Sequence, residues 1–142
     1  MQGTHETLDL TVLRKALKTL AEVLDDLPND NEKHYIRDAS IQRFEYSYEL
    51  TLKMLRRHLE NIADNPGDVK EYAFQDVIRE GYNKGVLQHS WDEWKNYRVY
   101  RNKTSHGYNE KTAKELIVNI PYFLQEAQYF LERVTAFYDA QH

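Results

Sequence analysis

Apolar residues recur every three or four positions along most of the chain, the period of a helix with one buried face. Leu10, Leu13, Leu17, Leu20, Leu24 and Leu27 mark a first helix, which stops in the polar, turn-rich run DDLPNDNEK. A longer stripe through Ile41, Phe44, Tyr48, Leu52, Leu55, Leu59 and Ile62 predicts a second helix of about six turns. NPGD at 65–68 breaks the chain. Asp68 and Glu71 then have the spacing of a capping box for a short third helix carrying Phe74, Val77 and Ile78, with Gly81 and Gly85 near its end. Ser90 and Glu93 repeat that spacing at the head of a fourth helix, SWDEWKNYRVYRNKTSH, and Gly107 suits the left-handed residue that closes it. Asn109 is placed to cap a fifth helix with Ala113, Leu116, Ile120, Leu124, Ala127, Leu131, Val134 and Tyr138 on one face. Pro121 falls inside that run and predicts a kink, because proline lacks the amide proton and crowds the preceding turn. No stretch alternates long enough for a strand. The expected fold is all-α: an up-and-down bundle of about five helices with a kinked last helix, one domain over residues 1–142.

Composition narrows the chemistry. A chain of 142 residues is long enough to bury a core without covalent staples. The absence of cysteine removes disulfides and thiolate metal sites and fits a reducing cytoplasm. MQGTHETLDL has no basic stretch followed by an apolar run, so no signal peptide is expected, and no apolar stretch approaches the roughly 20 residues that span a bilayer. A net charge of −4 argues against nucleic-acid binding driven by overall charge while leaving room for a local basic site. Eleven tyrosines are many for a chain this size. They read either as packing at helix surfaces or as a subunit interface, where tyrosine is enriched.

One stretch carries more chemistry than a helix end needs: RNKTSHGYN, residues 101–109. Lys95, Arg98, Arg101 and Lys103 oppose only Asp92 and Glu93 between Trp91 and His106, and Trp94, Tyr97 and Tyr100 lie between them. Such a patch suits a phosphodiester: guanidinium groups grip phosphate, aromatic rings stack bases, and imidazole exchanges protons near neutral pH. RNA brings its own nucleophile, the 2′-hydroxyl, so the reaction needs no metal. His106 is then a candidate general base or acid and Arg101 a candidate stabiliser of transition-state charge, with Arg98 and Lys103 as weaker phosphate contacts. Arg101 and His106 are five residues apart, about 140° around an ideal helix. Either the helix end unwinds or two copies of the motif meet across a symmetric dimer.

Plainer readings stand beside these. A histidine near a helix C-terminus is more often a favourable cap than a catalyst. Arg98 and Lys103 also read as solvated surface, Trp91 and Trp94 as core, and Asn102 as a residue facing water. The six histidines are scattered without metal-ligand spacing, Asp25 and Asp26 read as loop solubility, and neither a phosphate-cradling glycine loop nor a nucleophile elbow is present.

The run R-N-x-x-x-H-x-Y, formed by Arg101, Asn102, His106 and Tyr108, resembles the signature of the HEPN superfamily, specifically its HepT-like branch. RDASIQRFEYSYELTLKMLRRHLE, DVIREGYNKGVL and YRNKTSHGYNEKTA resemble that branch in order and spacing, so the likeness runs from about Asp38 to Ala113. It implies a helical bundle that forms a homodimer and is encoded beside a minimal nucleotidyltransferase. By that resemblance Arg101 and His106 are catalytic residues of a metal-independent ribonuclease, Asn102 is a supporting polar residue, and Tyr108 accepts AMP from the partner enzyme. The chain then needs no cofactor of its own, ATP and Mg²⁺ being used by the partner. Three functions follow: a toxin-type endoribonuclease silenced by its nucleotidyltransferase, a non-catalytic substrate-binding subunit of that enzyme, or a helical dimer serving only as scaffold.

Overall fold

The leucine stripe that opens the chain folds as α1 (Thr11–Asp25), which buries Leu13, Ala16, Leu17, Leu20 and Val23. The structure, a computed structural model, describes residues 7–141. After a 3-10 turn at Leu27–Asn29 the chain continues as α2 (Tyr35–Ile62), α3 (Pro66–Lys70), α4 (Phe74–Asn83), α5 (Trp91–Thr104) and α6 (Glu110–Asp139). No strand forms among the described residues, so the all-α expectation holds. None of these helices is long and apolar enough to cross a membrane.

α2 starts earlier than its apolar stripe. The Asp30 carboxylate accepts from the amides of Ile36 (3.0 Å) and Arg37 (3.3 Å), capping a helix whose own N-cap, His34, is in the left-handed region. Packing fixes α2 against α1, α4 and α6. Gly81 of α4 is part of that fit: a Cβ there would stand 2.9 Å from Leu87 Cδ1 and 3.0 Å from Leu55 Cδ1.

The expected third helix is two helices. Asn65 accepts from the Gly67 amide (3.1 Å), with Pro66 in the first turn, so α3 begins there and Asp68 lies inside it. The Asn-Pro pair pre-sets the first helical turn and outcompetes the Asp68–Glu71 box three residues later. α4 then starts after Ala73 with no side-chain cap. The Ser90 box does not close either, since Ser90 makes no capping hydrogen bond. The buried Glu126 carboxylate of α6 takes the amides just ahead of α5, Gln88 (2.7 Å) and His89 (2.8 Å), and so fixes the approach to the helix. The fifth expected helix matches α6: Asn109 Oδ1 accepts from the Thr112 amide at 2.9 Å, and the helix continues through Pro121 to Asp139.

Where α5 meets α2 and α6, aromatic rings lock edge to face. Phe44 and Phe123 centroids are 5.3 Å apart at 84°, and Trp94 and Tyr97 are 5.3 Å apart at 81°. Trp94 is fully buried, whereas Trp91 is only partly buried, against Phe74. This cluster holds α5 in place, and with it the residues at its C-terminal end.

Candidate functional site

α5 ends at Thr104, two residues before the histidine. The Ser105 amide bonds to the Asn102 carbonyl (3.2 Å), the Gly107 amide to that of Thr104 (3.3 Å), and Gly107 adopts φ +86°, the left-handed geometry glycine tolerates best. His106 therefore sits in a turn, exposed, with no hydrogen bond or ion pair among the described residues. Of the two geometries the sequence left open, the helix end does unwind, so the 140° separation of an ideal helix does not apply.

Arg101, partly buried, is turned toward α2. Its Nε donates to Glu49 Oε2 at 3.0 Å, its Nη1 to Ser105 Oγ at 3.0 Å, and Nη1 lies 3.6 Å from Glu45 Oε2. The Thr104 hydroxyl stands 2.6 Å from the same Glu45 oxygen, pinning the last turn of α5 to α2. The basic side chains of α5 do not converge. Arg98 lies over the Phe74 ring of α4, 4.9 Å from its centroid, and Lys103 pairs with Glu115 of α6 at 3.3 Å. Asn102 is exposed.

Tyr108 follows the turn and folds back onto α2, donating its hydroxyl to Asp38 Oδ1 at 3.1 Å. Partial burial, then the hydrogen bond and charge of Asp38, push the phenol up to about 12, with Arg37 pulling the other way. Arg37 spans the region: its Nη1 donates to both Glu110 oxygens (3.0 and 2.9 Å), holding that carboxyl below its ordinary value, and its Nε lies 3.8 Å from Asp38 Oδ1. Beside the phenol a groove of about 420 Å³ runs along α2, lined by Tyr35, Asp38, Gln42 and Glu45 among others.

Sequence reasoning overlooked the acidic half of the site. Asp38, Glu45 and Glu49 stand at i, i+7 and i+11 of α2, one helical stripe with Gln42 between, and that periodicity was available as a signal. The stripe meets this region with three carboxylates: Glu45 and Glu49 answer Arg101, and Asp38 takes the Tyr108 hydroxyl. No cluster of three metal-ligating side chains is present among the described residues.

This bundle and motif define a class. The chain belongs to the family described as "Nucleotidyltransferase substrate binding protein like", whose profile matches residues 8–136, from just before α1 to near the end of α6. It is similar to a protein named "Probable ribonuclease HepT" from Haemophilus influenzae, with 33% identity over 137 residues, 91% of this chain and 93% of that one. Among solved structures it resembles HI0074 from Haemophilus influenzae, described as having the fold of a substrate binding domain of a nucleotidyltransferase, with TM-score 0.83, 31% identity, and coverage of 89% of this chain and 99% of that chain. It also resembles a crystal structure of a Thermus thermophilus protein, with TM-score 0.69, 29% identity, and coverage of 86% and 98%.

Proposed function

We propose that the chain is the HepT-like component of a two-gene, toxin–antitoxin type system: a metal-independent endoribonuclease silenced when a partner nucleotidyltransferase adenylylates Tyr108. The observation that carries this is the grouping at one end of α5. Arg101, an exposed His106 and the hydroxyl-bearing Tyr108 come from a single turn and its flanks. In the cleavage step the RNA 2′-oxygen attacks the adjacent phosphorus and the 5′-oxygen leaves. His106 removes the proton from the first or supplies one to the second. Arg101 offsets charge on the phosphoryl oxygens, exchanging its Glu49 contact for one to phosphate, and Asn102 supports the substrate from the exposed face. Lys103 and Arg98 add weaker attraction to the RNA backbone.

The adenylyl group places a negative phosphate and a bulky nucleoside beside the turn, where RNA must enter. ATP and Mg²⁺ belong to the partner's chemistry. The active form in this reading is a cytoplasmic homodimer. Exposed Val99 of α5 and exposed Val118 and Tyr122 of α6, 47%, 66% and 59% accessible, leave apolar surface on these two helices for a second copy to cover. Cleavage of single-stranded RNA in EDTA, lost in His106→Ala, tests the nuclease. Adenylyl mass on the Tyr108 peptide after reaction with the partner tests the switch.

One observation favours a second reading, a non-catalytic substrate-binding subunit. Arg101 already has Glu49 and Glu45 as counter-charges, the arrangement of a structural ion pair. On that reading purified protein leaves RNA intact whichever residue is changed.

A further inference from the structure

We propose that Asp38 is the general base for Tyr108: its carboxylate takes the phenol proton as Tyr108 Oη attacks the α-phosphorus of a nucleoside triphosphate held by the partner enzyme. The inference rests on the reading of Tyr108 as the adenylyl acceptor and adds that this chain supplies part of the chemistry. In the step the Oη–Pα bond forms, the bond from Pα to the bridging oxygen breaks, and pyrophosphate leaves with its electron pair. The proton passes to Asp38 Oδ1.

Three observations support it. Asp38 Oδ1 is the acceptor of the phenol's hydrogen bond, at 3.1 Å, so the proton is already aimed at its destination. The Asp38 side chain is half exposed and can hand that proton on to water, whereas Tyr108 is partly buried and its phenol stays protonated near neutral pH, needing a base to become a nucleophile. The groove along α2 is lined by both Asp38 and Tyr108, so a partner's active site can approach the pair from that side. The charged groups acting on the Tyr108 phenol besides Asp38 are Arg37 and Glu45 on α2; behind Arg37 stands Glu110 of α6, which itself feels His34 and Lys114. Arg37 ion-pairs with Asp38 through Nε at 3.8 Å without a hydrogen bond to it, its Nη1 donating to Glu110 instead.

The competing role for Asp38 is a tether that holds the 105–109 turn on α2. Asparagine can keep the tether and cannot act as the base. The test uses the full chain, the purified nucleotidyltransferase encoded beside it, ATP and Mg²⁺, with the initial rate of adenylyl increment on the Tyr108 peptide read by mass spectrometry from mildly acidic to alkaline pH. Wild type is expected to be modified at a rate that is flat through neutrality. Asp38→Asn is expected to be slower by about a hundredfold or more at neutral pH, with a rate that climbs in proportion to hydroxide. Asp38→Ala is expected to be equally slow and to be restored by added formate, which a tether does not predict. Circular dichroism of each variant checks the fold. Asp38→Asn reacting at the wild-type rate with the wild-type pH profile overturns the proposal while leaving Tyr108 as acceptor. Wild-type Tyr108 left unmodified beside a partner that releases pyrophosphate from ATP overturns both.

Discussion

Arg101 Nε donates to Glu49 Oε2 at 3.0 Å, so the guanidinium of the motif is engaged by a carboxylate of α2 before any substrate arrives. Both side chains are partly open to water, at 25% and 60%. A pair of this kind contributes about 0–1 kcal/mol to stability.

On the proposed function, RNA phosphate and Glu49 compete for the same guanidinium. Glu49→Gln is expected to tighten binding of single-stranded RNA several-fold at low salt while changing unfolding free energy by less than about 1 kcal/mol. Arg101→Ala is expected to weaken binding. Fluorescence anisotropy with a labelled oligonucleotide, alongside urea unfolding, reads both. Unchanged affinity in Glu49→Gln with a large loss of stability assigns Arg101 a purely structural role.

The aromatic lock is the mechanical support of the site. Phe123 is fully buried and touches Phe44, Tyr48, Trp94 and Tyr97. Phe123→Ala is expected to cost about 3–5 kcal/mol in urea unfolding. A loss below about 1 kcal/mol contradicts the packing described.

Alkaline pH provides a test of Tyr108 in the isolated chain. Its phenol is raised in the folded protein from 10.0 to about 12, so the folded state holds a proton the unfolded chain releases. The contribution is fully present below pH 10 and is lost as pH rises toward about 12. Tyr48 and Tyr97 shift in the same direction through burial, so the fall in stability is shared. Tyr108→Phe is expected to make the decline above pH 10 shallower, measured by urea unfolding at stepped pH. An identical slope in both proteins contradicts the shift.

The helices were legible because their causes are local. Each apolar stripe marks one face, and Gly107 and Asn109 act within a few bonds of themselves. The misses come from competition and from distance in sequence. The capping box at Asp68 lost to Asn65–Pro66, the one at Ser90 does not form, and the amides just ahead of it go to Glu126, a carboxylate 36 positions later along the chain than Ser90. His106 and Tyr108 stand out by residue type alone. Asp38, Glu45 and Glu49 do not, because a polar stripe on a helix looks like solvated surface until another helix is laid against it.

The proposed homodimer can be tested at the exposed Val118 of α6. Light scattering at micromolar concentration is expected to report a homodimer, and Val118→Glu to shift it toward monomer. A wild-type monomer at that concentration contradicts the assembly.

On the proposed function, the turn after α5 cleaves RNA without metal. Purified wild-type protein is incubated with single-stranded RNA in EDTA, beside DNA of the same sequence, His106→Ala and Arg101→Ala. Wild type is expected to cleave RNA and leave DNA intact, and each variant to lose about a hundredfold or more with unchanged circular dichroism. RNA left intact by wild type, cleavage that persists in both variants, or cleavage that appears only on adding metal contradicts it.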